Sequence, residues 1–158
     1  AFQNSLEKGP RESFLRLLGA TGAPEAEEAM VEALNSDDDS LKVSAYAALA
    51  NWRDNSLFEQ QMTAMKGEKE QFLRGHAFDS VISFLKGDAE FDEASEKKMW
   101  TELSEELKDS HEKKEFIGTL ARGSEDWAMA LIEPLTKDAN DDTSFYAERA
   151  LEAMEGRK

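Results

Sequence analysis

Apolar side chains recur along this chain at the spacing of amphipathic helices. From position 41, they stand at offsets 0, 4, 7, 8 and 11, which places them on one helical face. They are Leu41, Ala45, Ala48, Leu49 and Trp52. The same offsets return from Leu73 to Phe84. Because no stretch alternates Val, Ile or Thr with polar residues as strands do, the pattern predicts an all-α fold.

A longer period overlies the helical one. One apolar marker position recurs at intervals of 31, 32, 39 and 31 residues. Its occurrences are Leu18, Leu49, Val81, Leu120 and Leu151. A period of this length fits one helix pair per repeat. We therefore expect about nine helices in four to five antiparallel pairs.

Residues that break helices divide the pattern into elements. The predicted helices cover 10–19, 26–34, 41–52, 57–65, 73–84, 93–108, 109–122, 127–135 and 143–154. The turns are predicted at 35–40, at Gly67 and at 87–92. Pro134 should kink or shorten its helix, because proline lacks a backbone N–H.

A basic residue recurs near the start of the second helix of most repeats. The basic position holds Arg11, Lys42, Arg74 and Lys113, and then Ser144. Four residues earlier stand Glu7, Asp38, Glu70 and Asp109, and then Asn140. A base in the first turn of a helix is unfavourable unless it has an anionic partner. We infer a ladder of acid and base pairs, within or between repeats; chance pairing in so acidic a chain is the alternative.

These residues resemble HEAT-like repeats. The segment 18–26, followed by Met30, Leu34, the acidic turn 37–39 and the helix 41–49, is similar to one bacterial HEAT-like repeat. Segment 48–54 with 73–75 also resembles repeats of large bacterial proteins, many of them exported. The resemblance implies a right-handed α-α superhelix that binds partners through the second helix of each pair. A tetratricopeptide pattern cannot be laid on these repeats.

Composition narrows the classes of partner. The chain has 158 residues, which suits a single repeat domain over 1–158, and its formal net charge is −15. Nucleic acid is an unfavourable partner, because phosphate binding depends on basic residues. With no cysteine and no apolar run near 18 residues, we expect neither a thiolate metal site nor a membrane span. Since the chain begins at Ala1, we expect a fragment of a larger protein and slightly favour an exported or periplasmic location.

Candidate sites for metal or catalysis are weak. His76 and His111 stand 35 residues apart without a further ligand at metal-binding spacing. The run 138–142 imitates the start of a calcium loop but has Thr143 where glycine is needed and Arg149 where a glutamate is needed. We therefore predict no metal, no cofactor and no enzymatic activity.

A partner-binding surface is the better supported interpretation. Its predicted members are Lys42, Tyr46, Arg53, Arg74, His76 and Phe78. The alternative is that Phe78, which aligns with Leu15, Tyr46 and Ile117, simply packs between repeats. The predicted function is a non-catalytic protein-interaction or scaffold module of a larger bacterial protein. An enzyme-associated HEAT-like domain, either lyase-type or a regulatory subunit, and a purely structural spacer remain alternatives.

Overall fold

The computed structural model describes residues 13–15, 17, 24–87, 91–123 and 125–157. All regular structure in these residues is helical, as predicted. The α-helices are α1 (Pro24–Leu34), α2 (Asp39–Leu49), α3 (Phe58–Gly67), α4 (Gln71–Lys86), α5 (Glu93–Ser104), α6 (Ser110–Leu120), α7 (Asp126–Ile132) and α8 (Asp141–Glu155). A 3-10 helix, Glu133–Lys137, joins α7 to α8. Most of the predicted helix 10–19 lies outside the described residues, although Ser13, Phe14, Leu15 and Leu17 are helical.

Side-chain caps begin four of these helices. Asp38, Asp92, Asp109 and Asn140 each accept a hydrogen bond from a backbone N–H in the first turn of the helix that follows. Such a bond satisfies an N–H that has no partner inside the helix. Two acids of the predicted ladder, Asp38 and Asp109, therefore serve as helix caps.

The helix ends follow the breaking residues closely. Gly67 is the last residue of α3, and Gly87 follows the last residue of α4. Pro134 shortens its helix as predicted, because α7 ends at Ile132 and a 3-10 turn containing the proline follows. Two helix ends were wrong: α2 ends at Leu49 instead of Trp52, and α5 ends at Ser104 instead of Lys108. The amides of residues 105 and 106 bond to carbonyls in a closing turn, which ends the helix early.

The chain divides into two compact units, Ala1–Phe91 and Asp92–Lys158. In the first, which we call unit 1, α1 packs on α2 and α3, while α4 packs on α2 and α3. Each helix thus contacts its own partner and its counterpart in the neighbouring pair. The core between the pairs includes Met30, Leu49, Met65, Val81 and Phe84. Unit 1 is therefore a stack of helix pairs.

The second compact unit, unit 2, is also a packed group of helices. Helix α5 contacts α7, helix α6 contacts α7 and α8, and the 3-10 helix packs on α7 and α8. Trp100 and Phe116 meet edge to face in the core, with ring centroids 5.7 Å apart. Leu103, Ile117 and Ile132 are fully buried beside them. The fold is therefore all-α with stacked helix pairs in each unit, the arrangement of an α-solenoid; one domain over 1–158 stays a prediction.

Candidate interaction surface

Three of the six residues predicted to bind a partner are buried. Tyr46 is 2% exposed, Phe78 is 1% exposed and Arg74 is 7% exposed. Lys42 and His76 are half-buried, and Arg53 is exposed. The burial of Tyr46 and Phe78 agrees with the alternative that their column packs between repeats. A partner can reach only Lys42, Arg53 and His76 among the six, and their role in binding stays a prediction.

The buried carboxylate of Glu68 connects two of these residues. Glu68 is 8% exposed and follows the last residue of α3. Its Oε1 lies 2.8 Å from Nζ of Lys42 and accepts a hydrogen bond of 2.6 Å from the Tyr46 hydroxyl. Burial raises the pKa of Tyr46 far above its ordinary value of 10.0, and the hydrogen bond and charge of Glu68 raise it further. The phenol therefore stays protonated and acts as a donor.

Unit 2 contains a corresponding pair. Lys113 Nζ lies 2.5 Å from Oδ2 of Asp138, and this hydrogen bond lowers the pKa of Asp138, with help from the backbone N–H of Asn140. Asp138 lies two residues before Asn140, at the N-cap position of α8, and Glu68 lies two residues before Glu70, at the N-cap position of α4. Lys42 and Lys113 thus each have an anionic partner just before the next second helix, whereas Asp38 and Asp109, the acids predicted to form the ladder with them, cap their own helices.

Arg74 occupies the same position in its helix but is bound differently. Its Nη1 donates a hydrogen bond of 2.9 Å to the carbonyl of Met65, near the end of α3. Arg74 therefore fastens α4 to the helix before it. Ser80 adds a second bond by donating to the Tyr46 carbonyl at 2.6 Å, which ties α4 to α2.

A cleft of about 580 Å³ opens beside Glu68. We call it the unit-1 cleft; it lies between the end of α1, the turn after it, α3 and the turn before α4. Its charged lining residues are Asp37, Glu59, Glu68 and Lys42, its polar ones are Asn35, Ser36, Gln60 and Thr63, and its others are Val31, Leu34, Ala64 and Gly67. Its volume falls in the range of sites that bind small ligands.

Exposed aromatic side chains were missed by the sequence analysis. Phe72 on α4 is 67% exposed and meets the ring of His76 edge to face at 4.6 Å. Phe145 and Tyr146 are exposed on α8 of unit 2. The available signal was an aromatic residue in a column that is otherwise polar, since Phe72 aligns with Ser40. Aromatic residues that project from a rigid helix are frequent anchors of protein interfaces.

The described residues contain no group of three or more His, Cys, Asp or Glu side chains able to hold a metal ion. Asp138, the first residue of the calcium-like run, is instead engaged by Lys113 and by the backbone of Asn140. Over the same described ranges, no helix is both long and apolar enough to cross a membrane.

Comparison with known proteins gives a structural likeness. No family model matches the chain, and no curated protein matches it. A designed armadillo repeat protein of known structure is similar, with a TM-score of 0.41 and 15% sequence identity, and the match covers 97% of each chain. The description of this chain as a helical-repeat protein rests on the packing of helix pairs within each unit.

Proposed function

We propose that this chain is a non-catalytic protein-interaction module of HEAT-like repeats in a larger bacterial protein. The observation that carries the proposal is the pair of adjacent second helices in unit 1, which internal bonds hold together while an aromatic side chain projects outward. Helix α2 is bound to the turn before α4 through Lys42 and Glu68, and to α4 through Ser80. Phe72 stands exposed on α4.

Rigidity is what such a surface contributes to binding. A partner that meets preformed helices loses less conformational entropy than one that must order its target. Stacked repeats commonly bind along the face formed by equivalent helices of successive pairs. On this face Ala47 and Asp79 are exposed, and His76 is half-buried beside Phe72. The face therefore has one exposed aromatic residue with polar and small residues around it. Protein interfaces commonly combine an apolar centre with a polar rim.

A site-specific photo-cross-linker tests the proposal. The photoreactive amino acid p-benzoylphenylalanine would replace Phe72 in cells of the source organism, and Glu28 in a matched control. Glu28 is also exposed but lies on α1, a first helix of its pair. We expect a protein adduct at position 72 that is absent at position 28, and binding of the purified adduct partner to the purified chain. Equal adducts at both positions, or no binding between the purified proteins, would contradict the proposal.

A further inference from the structure

We propose that the unit-1 cleft receives a cationic side chain, arginine or lysine, from a basic segment of the partner protein. This inference rests on the proposed function and names the chemistry of one contact. Three carboxylates line the cleft, those of Asp37, Glu59 and Glu68, against the single ammonium of Lys42. The excess of negative charge therefore favours a cation.

The shape and polarity of the lining match a long cationic side chain. Val31, Leu34 and Ala64 provide an apolar wall, while the carboxylates of Asp37 and Glu59 are exposed at the rim. Arginine and lysine bury an aliphatic stem against apolar surface while the charged head reaches polar groups. A small inorganic cation would leave the apolar part of the lining unused.

Glu68 supplies an acceptor deeper in the cleft. Among the residues that the structure describes, Lys42 and Tyr46 donate to Glu68, and both bonds fall on Oε1. The other carboxylate oxygen, Oε2, is therefore the one left to accept a bond from a ligand. Because Glu68 is largely buried, a charge that reaches it is screened less than one at the surface. Charge-assisted hydrogen bonds to a carboxylate are among the stronger ones in proteins.

The end of α1 adds to the same preference. This helix ends at Leu34, in the wall of the cleft, and its last turn contains no basic residue. Carbonyl groups at a helix C-terminus carry partial negative charge and favour a cation nearby. The helix end and the carboxylates thus act in the same direction.

Amide chemical shifts measured by NMR test the inference with defined probes. The intact chain would be titrated with Nα-acetyl-arginine amide, with the neutral analogue Nα-acetyl-citrulline amide, and with spermidine as a free cation. The double variant Asp37→Asn/Glu59→Gln removes the rim charges and leaves the buried Glu68 in place. The control Glu28→Gln/Asp79→Asn removes two exposed carboxylates outside the cleft.

We expect the arginine probe to shift amides of the cleft, with affinity about five- to tenfold weaker in the rim variant and unchanged in the control. Equal binding of the citrulline probe, equal loss in both variants, or no shifts at the cleft would overturn the inference. Binding of spermidine at the cleft without binding of the arginine probe would also overturn it. A confirmed partner without arginine binding would leave the proposed function intact but remove this contact, whereas arginine binding without any confirmed partner would refute its assignment to a protein segment.

Discussion

Glu68 provides a quantitative test of how neighbouring helix pairs are held together. Replacing it with leucine removes the acceptor of the buried Tyr46 hydroxyl and the partner of the Lys42 ammonium. A buried donor left without a partner costs about 1–3 kcal/mol. Loss of the partly buried ion pair, whose side chains are 20% and 7% exposed, adds about 1 kcal/mol. Glu68→Leu should therefore lower the free energy of unfolding by about 2–4 kcal/mol, a large share of the about 5–15 kcal/mol typical of a domain.

Glu68→Gln separates the two contributions. A glutamine oxygen can still accept the hydrogen bond from Tyr46, but the attraction for Lys42 is lost. We expect this variant to cost about 1 kcal/mol, clearly less than Glu68→Leu. Urea unfolding followed by circular dichroism measures both values, and Glu28→Gln, at an exposed position on α1, is the control. If both Glu68 variants unfolded within about 0.5 kcal/mol of the parent chain, as exposed substitutions do, the reasoning would be refuted.

Three further predictions concern single residues. Gln61→Met should raise the free energy of unfolding by about 1 kcal/mol in urea, because both polar atoms of the buried Gln61 side chain lack a hydrogen-bond partner in the described structure. Gln60→Met, at an exposed position, should change the free energy of unfolding little. A lower stability of Gln61→Met would contradict this prediction. The native pKa of Asp138 lies below its ordinary 3.8, so the unfolded state binds more protons as pH falls. The contribution of ionised Asp138 to the free energy of unfolding is therefore complete above pH 3.8 and is lost as pH falls through the lower native pKa. Urea unfolding of Asp138→Asn and of the parent chain at a series of pH values should show their free energies of unfolding converging in acid. A difference in free energy that stayed constant with pH would argue otherwise. Asp109→Ala should lower the stability by about 1 kcal/mol, because α6 loses its side-chain cap, whereas Asp109→Asn should retain most of the stability. Thermal unfolding measures both effects. Equal effects of the two substitutions would exclude the capping role.

The sequence was sufficient to locate the helices. Apolar offsets and breaking residues are local signals, so the ends at Gly67 and Gly87 and the shortening at Pro134 could be read from a few neighbouring residues. The error at Ser104 has the same origin, because the turn that closes α5 contains ordinary helix-forming residues such as Glu105. Local sequence patterns therefore predict the presence of a helix more accurately than the residue at which it ends.

Side-chain partners were harder to predict because they depend on packing. The acid four residues before Lys42 attracted attention in the sequence, yet Asp38 caps the helix and Glu68, 26 residues later, binds the lysine. Tyr46 was predicted to belong to the binding surface together with Lys42 and Arg53, whereas its ring fills the core and its hydroxyl reaches the buried carboxylate. Phe72 could not be singled out, since one aromatic residue in a polar column does not reveal whether its side chain is covered.

Calorimetry with the partner identified by cross-linking measures whether this chain binds a protein through the face around Phe72. The purified chain and its Phe72→Ala variant would each be titrated with that partner. The substitution is at an exposed position, so the variant should fold within about 0.5 kcal/mol of the parent chain. The proposed interface predicts saturable binding that weakens at least about tenfold in the variant, as for an aromatic anchor. Equal affinity of the two chains, or no measurable binding by either, would contradict it.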